Sequence, residues 1–188
     1  MLHTQQSMRK MKIAVYCSAK DAIPESYLAL GDAVGRWIGE HGHTLVYGGA
    51  TGGLMSRTSA AAVAAGAQVI GVIPSRIIAA GRQADNCHEL IPVANMSERK
   101  QVMREQSDVF ICLPGSYGTL DEMMDVISSA IVGEHRKPIL ILNHDDFYGS
   151  LQAQIAHMRS LHFIPEQEHY KPIFVQSLDE LFSRLTTL

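Results

Sequence analysis

A chain of 188 residues with a net charge of −3 and a pI near 6.3 carries no broad basic field with which to hold a nucleic-acid backbone. Its 46% hydrophobic and 19% charged residues are the proportions of a soluble globular domain, not of a disordered or membrane-embedded one. No apolar run approaches the roughly 18 residues that a membrane span requires.

The length suits one domain over residues 11–188, preceded by a flexible tail at residues 1–10. The basic run Arg9-Lys10-Met11-Lys12 before Ile13 imitates a signal peptide, but the apolar stretch stops at Lys20 and Asp21, so a first strand at Ile13–Tyr16 explains it better. A helix follows, with Tyr27, Leu30, Val34, Trp37 and Ile38 at helical spacing between Pro24 and Gly42. A second strand at Thr44–Tyr47 runs into Gly48-Gly49-Ala50-Thr51-Gly52-Gly53 and an alanine-rich helix. A third strand covers Val69–Ile73, and the irregular stretch Ser75–Cys87 reads as a loop with a helical turn, placed after a strand where a lid or substrate loop could sit. A helix opening at Asn95 leads to a strand at Val109–Leu113, and further strands follow at Ile139–Leu142 and Ile173–Val175. The strands are continuous apolar runs, the pattern of parallel strands covered on both faces. Their alternation with helices predicts an α/β fold: a single Rossmann-like, doubly wound parallel sheet with helices on both faces, its functional residues just beyond the strand ends.

Three segments carry chemistry. The glycines of 48–53 could present amides at a helix N-terminus to a phosphate or ribose, or could simply make a tight turn with close helix–sheet packing. A dinucleotide fingerprint is not met, because Ala50 stands where a glycine is needed and Cys17-Ser18-Ala19-Lys20 is not glycine-rich. After Leu113, the segment Pro114-Gly115-Ser116-Tyr117-Gly118-Thr119-Leu120-Asp121-Glu122 brings amides, hydroxyls and a carboxylate to one strand tip. Thr119 and Glu122 fit a capping box, which competes with a chemical role for Glu122; in that role the helix dipole would hold the carboxylate ionised. Asn95 and Glu98 fit a second capping box, which leaves Arg99 and Lys100 at a helix start, where cations oppose the dipole and suggest either an anionic partner or a solvated charged face.

These motifs, in this order, resemble the Lonely Guy cytokinin-activating phosphoribohydrolases: Gly48-Gly49-x-x-Gly52-Gly53-Leu54-Met55, Met96-Ser97-Glu98-Arg99-Lys100 and Pro114 to Glu122. The likeness extends from about Ile13 to the C-terminal helix, and no pyridoxal-phosphate lysine site accompanies the lysine decarboxylase label that such proteins have carried. The resemblance implies cleavage of a nucleoside 5′-monophosphate, AMP or an N6-modified cytokinin-type nucleotide, into base and ribose 5-phosphate, without cofactor or metal. It implies Arg99 and Glu122 as catalytic residues and Gly115, Ser116, Tyr117, Gly118 and Thr119 as the phosphate loop. It further implies substrate contacts at Ser18, Gly48, Gly49, Met96, Lys100, Asp121 and Ser128, and a homodimer or assembly of dimers. The chain departs from the family pattern at Ser18-Ala19-Lys20 (usually Gly-Ser-Ser), at Ala50, Ser97 and Ser116, and at Ser128-Ser129-Ala130-Ile131 (usually Thr-Trp-Ala-Gln). An acidic substrate contact expected near Gly81 is missing, with Asp85 as its replacement candidate.

Rival readings are a noncatalytic binder of nucleotides or of a phosphorylated cofactor, resembling molybdenum-cofactor carriers, and a dehydrogenase. His41 and His43 lack the third ligand of a metal site. Cys17, Cys87 and Cys112 form no disulfide framework and fit a cytoplasmic protein; Cys112 is read as core and Cys17 as a possible pocket residue. Met123, Met124, Ile127 and Ile131, in a helix read over Glu122–Val132, offer packing for a second copy, although some of them must face the sheet.

Overall fold

A computed structural model describes residues 9–188, so most of the expected tail lies outside the described residues. Seven strands form one all-parallel sheet: β1 (Lys12–Tyr16), β2 (Thr44–Tyr47), β3 (Gln68–Pro74), β4 (Glu89–Val93), β5 (Val109–Cys112), β6 (Ile139–Leu142) and β7 (Ile173–Val175). Their order is β4-β3-β2-β1-β5-β6-β7, so the chain builds outward from β1 to β4, then crosses back to place β5 on the other side of β1. The reversal between β1 and β5 is the switch point at which a doubly wound sheet opens a crevice. Six strands lie where the apolar runs place them. β4 is additional, and its Pro92 is tolerated because the strand is at the sheet edge, where a missing amide costs no ladder bond on the open side.

Helices cover both faces. α1 (Glu25–Glu40), α2 (Gly53–Ala64) and α7 (Leu178–Thr186) enclose one core with Ile13, Val15, Leu45, Tyr47 and Ile111. α4 (Met96–Gln106), α5 (Tyr117–Ile131) and α6 (Gly149–Ser160) close the other over Ala14, Tyr16, Val46, Phe110 and Met123. α3 (Ser75–Ala79) is the helical turn expected after β3. α1 and α2 approach backbone to backbone: a Cβ at Gly35 would lie 2.2 Å from the Thr58 carbonyl oxygen, so any side chain there would force the helices apart.

His41 and His43 have structural work. His41 Nδ1 lies 2.8 Å from the Trp37 carbonyl, and His43 Nδ1 accepts from the Met11 amide at 3.2 Å. Trp37 stacks between His41 and Phe182, tying the end of α1 to β1 and α7. Of the four residues read for packing against a second copy, Met123 and Ile127 are buried against the sheet, while Met124 and Ile131 remain exposed. Among the described residues, no helix is long and apolar enough to cross a membrane.

Candidate active site

A cavity of about 170 Å³ opens at the switch point. The β1 loop contributes Cys17 to Lys20, α2 contributes Met55, and the segment after β3 contributes Arg82. The other wall is Arg99 from α4 and Ser116, Gly118, Thr119 and Glu122 from the start of α5.

α5 begins three residues before the start expected of it. Its N-cap is Ser116, so Thr119 lies within the first turn and Glu122 in the second. The capping box read for Thr119 and Glu122 is therefore corrected: no side chain caps α5, and Glu122 is left for another partner. That partner is Arg99, whose Nη2 donates to Glu122 Oε1, with both side chains almost wholly out of solvent. The second cap is present with its return bond shifted by one residue: Asn95 accepts from the Glu98 amide at 3.0 Å, and Glu98 accepts from the amide of Ala94, just before the N-cap, at 2.7 Å. That cap places Arg99 on the first turn of α4, facing inward.

Gly48 makes room for this arginine. A Cβ there would lie 3.3 Å from Arg99 Nη1 and 3.1 Å from the Met55 methyl, so the guanidinium rests against bare backbone. Burying a carboxylate costs solvation, and burial pushes the Glu122 carboxyl up to about 7, with the Arg99 charge opposing the rise. The dipole of α5 does not dominate, and the expectation of a firmly ionised carboxylate gives way to one poised near neutrality. Arg99 Nε is buried without a hydrogen-bond partner among the described residues, a donor awaiting an acceptor. The first-turn amides of α5 likewise have no intrahelical acceptor, and the helix dipole adds positive potential there. Cavity, orphan donor and uncapped helix together offer free donors and positive potential, the chemistry that suits an anion, next to a poised carboxylate.

The other named residues fall in three places. Ser18, Ser116, Gly118 and Thr119 line the cavity. Gly115 sits beneath Thr119, whose Oγ1 would be 2.1 Å from a Cβ at that position, and Tyr117 projects into solvent at 89% exposure. Gly49 supports the β3 segment through its carbonyl, which accepts from the Ala84 amide at 2.9 Å. Lys100 donates to Asp121 at 2.8 Å on the outer side of α4 and α5, while Met96 and Ser128 are exposed and outside the cavity wall.

The amides at the start of α2 are engaged within the chain. The Gly53 amide donates to Asp21 Oδ1 at 2.8 Å, the Gly52 amide to Ser56 Oγ at 2.7 Å and the Met55 amide to the Ser18 carbonyl at 3.2 Å. The close-packing reading holds for this turn: a Cβ at Gly53, at φ 49°, would meet the Lys20 carbonyl oxygen at 2.4 Å. Asp85 is exposed and away from the cavity, so it does not supply the missing acid; Arg82 stands in the wall instead. Sequence reasoning passed over Arg82, although its place beyond a strand end in a doubly wound sheet was the available signal.

The chain is similar to a described family and to several named proteins. A family model described as possible lysine decarboxylase matches residues 55–185. A protein of Oryza sativa subsp. japonica named as a probable cytokinin riboside 5′-monophosphate phosphoribohydrolase is 36% identical over 177 residues, covering 94% of this chain and 71% of its own length. A cytokinin riboside 5′-monophosphate phosphoribohydrolase of Mycobacterium marinum is 36% identical over 168 residues, 89% of each chain. Among solved structures, the molybdenum cofactor binding protein of Rippkaea orientalis shares the fold, with a TM-score of 0.72 at 22% identity over 96% of this chain and 98% of that one.

Proposed function

The chain belongs to the Lonely Guy family, and we propose that it hydrolyses the N-glycosidic bond of a nucleoside 5′-monophosphate, releasing free base and ribose 5-phosphate. AMP and N6-substituted adenine nucleotides of cytokinin type are the first substrates to try. The observation that carries the reading is the buried Arg99–Glu122 pair beside the uncapped start of α5.

The 5′-phosphate lies at the Gly115–Thr119 turn, receiving the first-turn amides of α5 and the free Arg99 Nε donor. Held at that end, the nucleotide presents C1′ to Glu122. Loss of the base develops positive charge on the ribosyl ring, which an ionised Glu122 stabilises while orienting the attacking water. Arg99 holds the carboxylate in place and turns remote phosphate binding into positioning at the reacting carbon. The step invokes no cofactor or metal, so a chelator leaves the rate unchanged.

Nucleosides lacking the phosphate lose that anchor. AMP is therefore expected to exceed adenosine in kcat/KM by about 10³-fold or more, since well-placed remote binding contributes several kcal/mol to orientation. Equal rates, by chromatography of the released base, would defeat the phosphate assignment.

The pH profile reports the poised carboxylate. Glu122 acts ionised and its carboxyl sits near 7, so kcat/KM rises with pH through about 7 and levels off above it. A profile already flat from pH 5 upward would remove Glu122 as the titrating group.

We further place the protein in the cytoplasm, in keeping with its three free cysteines, and as a homodimer or assembly of dimers. Met96, Tyr117, Met124 and Ile131 leave apolar surface on α4 and α5 for a second copy. Sedimentation at micromolar concentration should give at least a dimer mass; a monomer would rule the assembly out.

A further inference from the structure

The cavity holds more positive charge than its own carboxylate answers. Lys20, Arg82 and Arg99 line it, against Glu122, which Arg99 already engages. Among the described residues, neither Lys20 nor Arg82 pairs with a carboxylate.

Arg82 is held by its backbone and free at its head. Its carbonyl accepts from the Thr51 amide at 2.9 Å, and its own amide donates to the Ile77 carbonyl at 3.2 Å. On its C-terminal side, Gln83 bridges Ala50 and the Ala84 amide donates to the Gly49 carbonyl. The guanidinium has only a 3.5 Å approach to the Thr51 carbonyl, at the outer limit of a hydrogen bond. A fixed stem with an uncommitted fork of donors, in the wall of a cavity, is suited to a ligand.

With the phosphate and C1′ placed as in the hydrolase reading, strand order decides which part of the ligand meets it. The start of α5 follows β5 on one side of the β1 loop; Arg82 follows β3, clipped to the β2 loop, on the other. Arg99 bridges the two sides, resting against Gly48 and Met55 and reaching Glu122. A nucleotide with its phosphate at α5 and C1′ at Glu122 therefore sends its base toward Met55 and Arg82. A guanidinium only donates, and its fork matches two adjacent acceptors such as O6 and N7 of a 6-oxopurine; a 6-aminopurine sets a donor at that position.

We propose that Arg82 is a specificity-determining residue that reads the acceptor edge of the leaving base, extending the substrates to the 6-oxopurine 5′-monophosphates IMP and GMP and making them faster than AMP. The proposal rests on the hydrolase reading of the site. It is tested by kcat/KM for IMP, GMP and AMP in the wild type, Arg82→Ala and Arg82→Glu. The wild type should favour the oxopurines by about tenfold or more, the range of one bidentate arginine contact. Arg82→Ala should bring the ratio toward unity, and Arg82→Glu should turn it in favour of AMP. The clamp is made by backbone, so these variants should keep the wild-type unfolding temperature. Calorimetric binding of IMP and AMP to Glu122→Gln, with and without Arg82→Ala, gives the same order without needing turnover. A wild-type preference for AMP, or a ratio indifferent to Arg82→Ala in both measurements, overturns the proposal. Absence of turnover with every nucleotide would overturn the hydrolase reading, and the affinity order would still decide the role of Arg82.

Discussion

Glu122→Gln lowers turnover by about 10³-fold, roughly 4 kcal/mol of transition-state stabilisation, while affinity for the nucleotide stays near wild type or rises. Glutamine fills the same buried volume and keeps an oxygen for Arg99, so the local packing is preserved. What it lacks is the charge that faces the developing ribosyl cation, and that charge matters in the transition state far more than in the ground state. In the ground state a carboxylate beside a phosphate is repulsive, so its removal can tighten binding. Single-turnover kinetics with parallel calorimetry separates the two effects. The acid limb near pH 7 should vanish with the carboxylate, a change that a purely structural role for Glu122 would not produce. Full turnover in Glu122→Gln would return this residue to a packing role.

Arg99→Ala is expected to act on binding, turnover and stability together. It removes the donors for the phosphate and the positive charge that faces Glu122, so KM rises and kcat falls, with kcat/KM down by about 10³-fold. It also leaves a buried carboxylate without a partner, at a cost of about 3 kcal/mol when that group is ionised. The sign with pH follows from linkage. Burial already lifts the folded Glu122 carboxyl above its ordinary value, so the native state binds the proton more tightly and stability falls as pH rises from about 4.5 through about 7. Without Arg99 the carboxyl moves higher still and the fall continues further. The unfolding temperature of Arg99→Ala should therefore lag the wild type more at pH 8 than at pH 6. A deficit independent of pH would mean that the two side chains are not energetically coupled.

Much of this arrangement was legible in the chain, because it rests on local patterns. The apolar runs at Ile13, Thr44, Val69, Val109, Ile139 and Ile173 mark strands buried on both faces, and the Asn95–Glu98 pair marks the start of α4. β4 was hidden by Pro92, which argues against a strand unless the strand is known to be an edge, and edge position is a property of topology. The start of α5 was misplaced because Thr119 and Glu122 satisfy a capping pattern equally well one turn inside a helix. Arg82 was passed over for a different reason: its place beyond a strand end is shared by every residue of that loop, and what carries it to the cavity is the clip between the β2 loop and the segment after β3, a contact that spans 31 residues of sequence. The same limit hid the competition at the start of α2, where Asp21 occupies an amide that a bound anion could otherwise have used.

The most direct test of the account is product analysis. Purified protein is incubated with AMP, IMP or GMP, and free base, ribose 5-phosphate and inorganic phosphate are quantified over time beside the Glu122→Gln variant. The expected products are base and ribose 5-phosphate in equal amounts with no inorganic phosphate, formed about 10³-fold more slowly by the variant. Saturable nucleotide binding with no base released by the wild type, or release of inorganic phosphate in place of base, would contradict it.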